Sequence, residues 1–502
     1  MIRTKKIGAV LSYFATILNS LVSIFLTPFI LGCLGDSEYG IYRTVQALTG
    51  QLALISIGIG TIASVFVAKY NARTDAEAKM ERENFLATGI FVAAAISVLV
   101  MVAGMILYLF VDDLYAATMT AVQIRLVQDM YVLLVINVSL YLFRDVFVGV
   151  IHGCERFIYS NGLKVLRLLL RVAVILLLLN MGFRALALVW CDLLLTVFLL
   201  LCDVVYCFGI LKLKAKFHVW DRTLFGAIFS FSLAMFLQTI VNQVNQNLDS
   251  VILGATIAPE RVAVYSLALT IYVAFNGLTT SVAGLFTPQA ARMIQQNASA
   301  DELMEFTVKV GRMQSAVVAL GLGGFICAGQ PFVSAWVGAD KLDVYYLSLI
   351  LLIPSGMAVL LSGANSILDG MLKRIGRSLI LIIAATVNVL SSLFLIHFFD
   401  YWGAAIGTAL SVVAGQIFAM CLYYRRVFGF KPLVFFKETF RGILPCALMA
   451  LVVTAPLSQI SCGDVWLLLI KGAAYVAAYG AGLWLFGLNT SEKKLLLSRG
   501  GK

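Results

Sequence analysis

The chain has 502 residues, 61% of them hydrophobic and only 13% charged, with a formal net charge of +11. A soluble domain carries roughly 45–50% apolar and about 25% charged residues, so the composition excludes an ordinary soluble enzyme. The surplus lies in runs of about 20 apolar residues, the length that crosses a ~30 Å hydrocarbon layer.

Without water to satisfy the backbone, such spans must be helices or closed barrels. The period-2 alternation of a barrel is absent, which leaves an all-α multi-pass membrane protein. Nine cysteines form no Cys-x-x-Cys pair, and His152, His218 and His397 are far apart. Neither a disulfide framework nor a zinc site is indicated. No Gly-x-x-x-x-Gly-Lys loop occurs, so no nucleotide hydrolysis and no cofactor is expected.

Fourteen spans are predicted in chain order. Six fall at about 7–31, 42–68, 85–111, 130–151, 161–180 and 185–209. Six more fall at about 226–252, 262–287, 313–337, 344–368, 378–398 and 402–424, and two follow at about 442–460 and 465–488. Arg3, Lys5 and Lys6 precede an apolar run that is too long for a signal-peptide core, so it reads as a retained first span. The connections 69–84 and 290–313 are of mixed charge and suit short surface helices.

The first span has a counterpart in the seventh. Thr16, Ser20, Ser23 and Thr27 lead to Ile30-Leu31-Gly32, while Gln238, Asn242, Asn245 and Asp249 lead to Ile252-Leu253-Gly254. The 4, 3, 4 spacing places four polar side chains on one stripe of each helix. Six spans per half make the halves parallel repeats about an axis along the membrane normal. The expected organisation is an N-terminal lobe at 1–210, a basic linker at 211–225, a second lobe at 226–425, and two extra helices with a tail at 426–502.

Lysine and arginine placement sets the orientation. With the N-terminus inside, inner segments hold 28 of the 37 basic residues, and the outer connections carry most of the short-loop acids. Both termini are therefore expected in the cytoplasm and the chain in the cell inner membrane. The positive charge is a topology signal and requires no nucleic-acid partner.

The stretch Thr27-Pro28-Phe29-Ile30-Leu31-Gly32-Cys33-Leu34-Gly35-Asp36-Ser37-Glu38-Tyr39-Gly40 resembles the N-terminal signature of the oligosaccharide flippases. These belong to the superfamily that also holds multidrug antiporters and lipid II flippases. Asn247 to Gly254, Val262 to Ser266 and Gly153 to Phe157 are similar to the family as well. The resemblance implies a V-shaped pair of six-helix bundles. It further implies alternating-access transfer of a polyprenyl-pyrophosphate-linked oligosaccharide, with lipid, a polymerase and glycosyltransferases as partners. A sodium or proton gradient is a possible coupling source.

Charges inside spans are the candidates for function, since each costs at least ~2.5–3.5 kcal/mol at the bilayer centre. Lys164, Arg167 and Arg171 share one face of the fifth span, and at 1.5 Å per residue Arg171 lies ~15 Å deep. Arg144, on the fourth span, lies ~12 Å from its inner end by the same rise. Guanidinium forks on two adjacent helices suit a pyrophosphate. Pairing with Asp145, Asp192 and Asp203 is the alternative, and Lys164 can snorkel to the interface. Aligned on Gly153 and Gly370, Arg167 and Arg171 correspond to Ala384 and Asn388, so the second half lacks the ladder. Gln238, Asn242, Asn245 and Asp249 suit sugar hydroxyls; the alternative is glue between helices. Pro28, Pro354, Gly50, Gly58 and Gly60 are possible hinges, and Lys471 has no evident partner.

The rival functions are an ion-coupled multidrug exporter, which should present acids without an arginine ladder, and a lipid II flippase. A membrane glycosyltransferase or polymerase would need a larger extramembrane loop than any here.

Overall fold

The computed structural model describes residues 2–52, 59–71, 73, 75–218, 249–283, 286–371, 374–459, 463–489 and 492–493. These divide into two compact units, Met1–Ser266 and Leu267–Lys502. The protein is all-α.

In the first unit, α1 (Ile2–Leu52) is two helical arms joined at Gly35, whose φ of 77° lies in the left-handed region that side chains avoid. Then come α2 (Ile59–Asn71), α3 (Ala76–Tyr108), the short α4 (Val111–Tyr115), α5 (Ala121–Gly153) and α6 (Phe157–Asn180). The seventh, α7 (Ala185–Val205), runs through a π-helical turn to Ile210. Side chains close the helix starts. Asp75 accepts from Ala78 N at 3.3 Å, and Thr120 with Gln123 forms a capping box on α5. Beyond α7 the chain is tied back to α3, where Asn84 Oδ1 accepts from His218 N and Glu83 pairs with the His218 ring at 3.1 Å.

The core of this unit joins α2, α3 and α5 through Ile62, Val67, Phe85, Val146, Val150 and Ile151, with Phe66 stacked on Phe85. Glycine permits the closeness of α2 to α5. A Cβ on Gly149 would fall 2.1 Å from the Gly60 carbonyl oxygen, and one on Gly153 would meet Val67 and the Ser64 carbonyl. Small residues at such crossings let backbones approach where lipid supplies no hydrophobic drive. Gly60, named as a possible hinge, is the point of closest approach to α5 at this crossing.

The turn after Gly35 gathers several helix ends. Glu38 accepts from Arg184 Nε at 2.7 Å and from Ala185 N at 2.8 Å, so it caps α7. Ser37 accepts from the Gln123 amide at the start of α5. Tyr39 is buried, and a Cβ on Gly40 would sit inside the Pro259 carbonyl. Gly254, from the second copy of the Ile-Leu-Gly repeat, packs against the Thr44 side chain, and its carbonyl accepts from Thr118.

The second unit takes up α8 (Pro259–Ala283) beyond Ser266. It continues with α9 (Thr287–Gln295), α10 (Ala300–Val337), α11 (Asp343–Leu360), α12 (Ser362–Gly370), α13 (Arg374–Phe399) and α14 (Tyr401–Phe428), which contains a π-helical stretch. Last come α15 (Pro432–Phe440), α16 (Ile443–Thr454) and α17 (Asp464–Gly482). The connection expected at 290–313 holds the end of the short α9 and the first turns of α10. Ser299 and Glu302 form a capping box there, and α10 then runs unbroken for 38 residues. On α17, the buried Tyr475 and Tyr479 donate to the carbonyls of Ala319 and Ala316, which fastens this helix to α10.

Ten described helices are long and apolar enough to cross a membrane, or eleven if the bent pair at 432–457 is one span. The fourteen expected spans include three outside this count. The fifth is α6, 24 residues long but carrying Lys164, Arg167 and Arg171. The second is interrupted by residues 53–58, and the seventh by 219–248, which lie outside the described residues.

Candidate functional site

The first unit contains a cavity of about 740 Å³ lined by α1, α5, α6 and α7. Helical spacing explains which side chains reach it. Asn19, Ser23 and Leu26 come from the first arm of α1, and Gln46, Thr49 and Gly50 from its second arm. From α5 come Leu134, Asn137, Tyr141, Arg144, Asp145 and Val148, an i, i+3, i+4 stripe. From α6 come Ser160, Lys164, Arg167 and Arg171.

All four cations singled out in the sequence thus line one cavity, but their surroundings differ. Arg144 donates to Asp203 at 2.7 Å, with that carboxylate fully buried behind it. Arg171 makes a two-point pair with Asp192, Nε to Oδ1 at 2.6 Å and Nη2 to Oδ2 at 3.0 Å. Its Nη2 also reaches the Tyr42 hydroxyl, which accepts from Gln46 as well. Lys164 and Arg167 form no ion pair and no hydrogen bond among the described residues. Asp145 is not held by a cation either; its Oδ2 accepts from Gly60 N at 2.9 Å. The pairing and the cavity-lining readings of the cations therefore hold together for Arg144 and Arg171.

The polar stripes fare differently. Ser23 lines the cavity, while the Ser23 and Thr27 hydroxyls donate to carbonyls four residues back in their own helix. The Thr16 side chain, with Gln238, Asn242 and Asn245, lies outside the described residues. Asp249 does not line this cavity; it is buried and accepts from the Tyr265 hydroxyl at 3.1 Å.

In the second unit, Asn388, the counterpart of Arg171, is buried at the crossing of α13 and α14. Its Oδ1 accepts from Ser392 at 3.0 Å and Thr408 at 3.5 Å. The neighbouring Ala384 leaves no room for a Cβ on Gly415. A charged pair across two helices in one unit becomes an amide and hydroxyl seam in the other.

Sequence reasoning missed Asn19, Gln46, Asn137 and Tyr141 in the cavity. The signal was available, because Asn137 and Tyr141 continue the Arg144 face outward at heptad spacing. It also missed Arg312, whose guanidinium is buried on α10. That group donates to the carbonyls of Glu438, Arg441 and Gly487 and pairs with Glu492 at 2.7 Å.

An all-helical multi-pass protein built around a polar, cation-lined cavity has the construction of a membrane transporter. Residues 7–293, more than half of the chain, match the family model described as polysaccharide biosynthesis protein. The chain belongs to that family. No curated protein sequence matches it significantly. The fold is similar to that of the lipid II flippase MurJ in an inward closed conformation. The TM-score is 0.67 at 15% identity, covering 95% of this chain and 97% of that one. It is also similar to an inward-facing multidrug resistance transporter of the MATE family, of the MOP superfamily. There the TM-score is 0.64 at 13% identity, covering 83% of this chain and 97% of that one. A MOP superfamily transporter from Pyrococcus furiosus, described as having a binding pocket of reversed polarity, aligns with a TM-score of 0.54 at 15% identity, covering 87% and 96%.

Proposed function

We propose that the protein flips a polyprenyl-pyrophosphate-linked oligosaccharide from the inner to the outer leaflet of the cytoplasmic membrane by alternating access, supplying a polysaccharide polymerase with what glycosyltransferases have built. Both termini face the cytoplasm in this reading. The observation that carries it is the presence of two cations, Lys164 and Arg167, on the wall of a cavity where Arg144 and Arg171 are already held by carboxylates. An unpaired guanidinium in a partly desolvated site favours a phosphate oxygen strongly, because the charge-assisted hydrogen bond replaces lost hydration. The family supplies the polysaccharide context. Export of a cationic drug is disfavoured, since the cavity wall carries four cations, Arg144, Lys164, Arg167 and Arg171, against the two carboxylates Asp145 and Asp192.

The double variant Lys164→Ala with Arg167→Ala tests the reading. Neither residue holds another in place, so the protein should reach the membrane in normal amount while surface polysaccharide is lost. Wild-type polysaccharide in that variant would overturn it.

A further inference from the structure

The cavity wall outward of the cations carries polar groups that nothing among the described residues of the first unit satisfies. Asn19 on α1, and Asn137 and Tyr141 on α5, all line the cavity, and their side chains form no hydrogen bond among the described residues. Tyr141 is 45% exposed. Other polar groups in the same wall are committed: Gln46 donates to Tyr42, and the Ser23 and Thr49 hydroxyls donate to helix carbonyls. A cluster of uncommitted amides and a phenol within a membrane protein costs free energy unless water or a ligand completes it.

The chemistry of the cluster selects the ligand. Amides both donate and accept, as does a phenol, which matches hydroxyl groups that do the same. An exposed aromatic ring suits the C–H face of a sugar. The position is also informative. Tyr141 and Asn137 lie three and seven residues outward of Arg144, ~4.5 and ~10.5 Å along the helix at 1.5 Å per residue. The Tyr141 hydroxyl is within electrostatic reach of Arg167, so the polar wall begins where the unpaired cations end.

We infer that Asn19, Asn137 and Tyr141 form a neutral-sugar subsite in the first unit, adjoining Lys164 and Arg167, which reads the sugar attached directly to the pyrophosphate. The inference rests on the proposed function, since it takes Lys164 and Arg167 as the pyrophosphate subsite. The first unit then holds both the anionic group and the first ring, and Tyr141 stacks on that ring while the amides fix its hydroxyls.

Binding to the full chain in lipid nanodiscs tests this with two probes, undecaprenyl pyrophosphate and the same lipid carrying one N-acetylglucosamine. The wild type should bind the sugar-bearing probe about tenfold more tightly, the factor that one or two net hydrogen bonds supply. Tyr141→Leu and Asn137→Leu, each made separately in case one fails to fold, should bring the two probes to equal affinity without weakening the bare lipid. Lys164→Ala with Arg167→Ala should weaken both probes alike. Equal binding of both probes by the wild type, or an equal loss for both in the α5 variants, overturns the sugar subsite. Bare pyrophosphate binding that ignores Lys164 and Arg167 instead overturns the reading beneath it.

Discussion

Arg171 on α6 and Asp192 on α7 meet through two parallel contacts, at 2.6 and 3.0 Å, on the wall of the cavity in the first unit. This fork-to-fork pair is the strongest geometry available to an arginine and a carboxylate. Its place in the second unit is taken by Asn388 and Thr408, which join α13 to α14 without charge. The corresponding helix pairs are thus both stitched by side chains, through an ion pair at Arg171 in the first unit and through the amide of its counterpart Asn388 in the second. Arg171 is therefore a helix clamp, whereas Lys164 and Arg167 on the same wall form no ion pair among the described residues.

The clamp predicts a specific pattern of stability. Asp192→Asn leaves a partly buried guanidinium uncompensated, which costs about 3–5 kcal/mol in buried pairs elsewhere. Replacing both partners, Arg171→Leu with Asp192→Leu, should recover most of that loss, because an apolar pair carries no desolvation penalty. Thermal unfolding of the purified protein in detergent checks the order: wild type close to the double variant, and both well above Asp192→Asn. A double variant as unstable as the single one would show that the pair is not a clamp.

The crossing of α2 and α5 gives a second prediction. Gly149 stands where a Cβ would fall on the Gly60 carbonyl, and backbone cannot yield as a side chain does. Gly149→Val should separate the two helices and lower the melting temperature, with a cost of roughly 1–3 kcal/mol or more, as for overpacked cores. Gly162→Ala is the control, since a Cβ there meets nothing within 4 Å and the residue lies in the neighbouring α6. Equal stability of the two variants would contradict the packing role.

Much of this was readable from residue order, for identifiable reasons. Apolar runs fix spans because the bilayer has one thickness, and the cavity face of α6 followed from the 3 and 4 spacing of Lys164, Arg167 and Arg171. Which carboxylate would take which arginine could not be read, because Asp145, Asp192 and Asp203 are all within plausible reach in sequence. The choice is made by helix packing, which turns Asp145 onto the Gly60 amide instead. The signature around Glu38 and Gly40 marked the family correctly, yet its residues serve the fold. Glu38 caps α7, and Gly40 admits the Pro259 carbonyl.

That gives a third prediction. Glu38→Gln keeps the shape and one acceptor oxygen but loses the charge that faces Arg184 and the start of α7. An exposed pair is worth about 0–1 kcal/mol, and a helix cap typically about 1 kcal/mol. Glu38→Gln should therefore lower stability modestly and leave discrimination between pyrophosphate probes intact. Gly40→Val, which forces backbone apart, should prevent accumulation of folded protein in the membrane. If Glu38→Gln instead removed probe binding at normal stability, the signature would be part of the substrate site.

Arg312 and Glu492 supply a prediction that depends on pH. Arg312 is buried on α10, and its five hydrogen bonds hold the end of α15, the Gly487 carbonyl at the end of the last span, and Glu492 beyond it. Burial alone would raise the Glu492 pKa, but the Arg312 guanidinium and the Asn489 amide outweigh it and hold the carboxyl below the ordinary glutamate range. A depressed folded-state pKa contributes stability above the unfolded value, near 4.3 for glutamate, and loses it as pH falls through the folded value. Glu492→Gln should accordingly be less stable than wild type at neutral pH. The gap should hold down to about pH 5 and close as wild-type Glu492 takes up its proton below the ordinary glutamate pKa. Arg312→Ala should be destabilised at every pH, because three carbonyls lose their donor whether or not Glu492 is charged. Thermal unfolding of the three proteins from pH 7 to pH 3 measures this, and a Glu492→Gln gap independent of pH would remove the ion pair from the account.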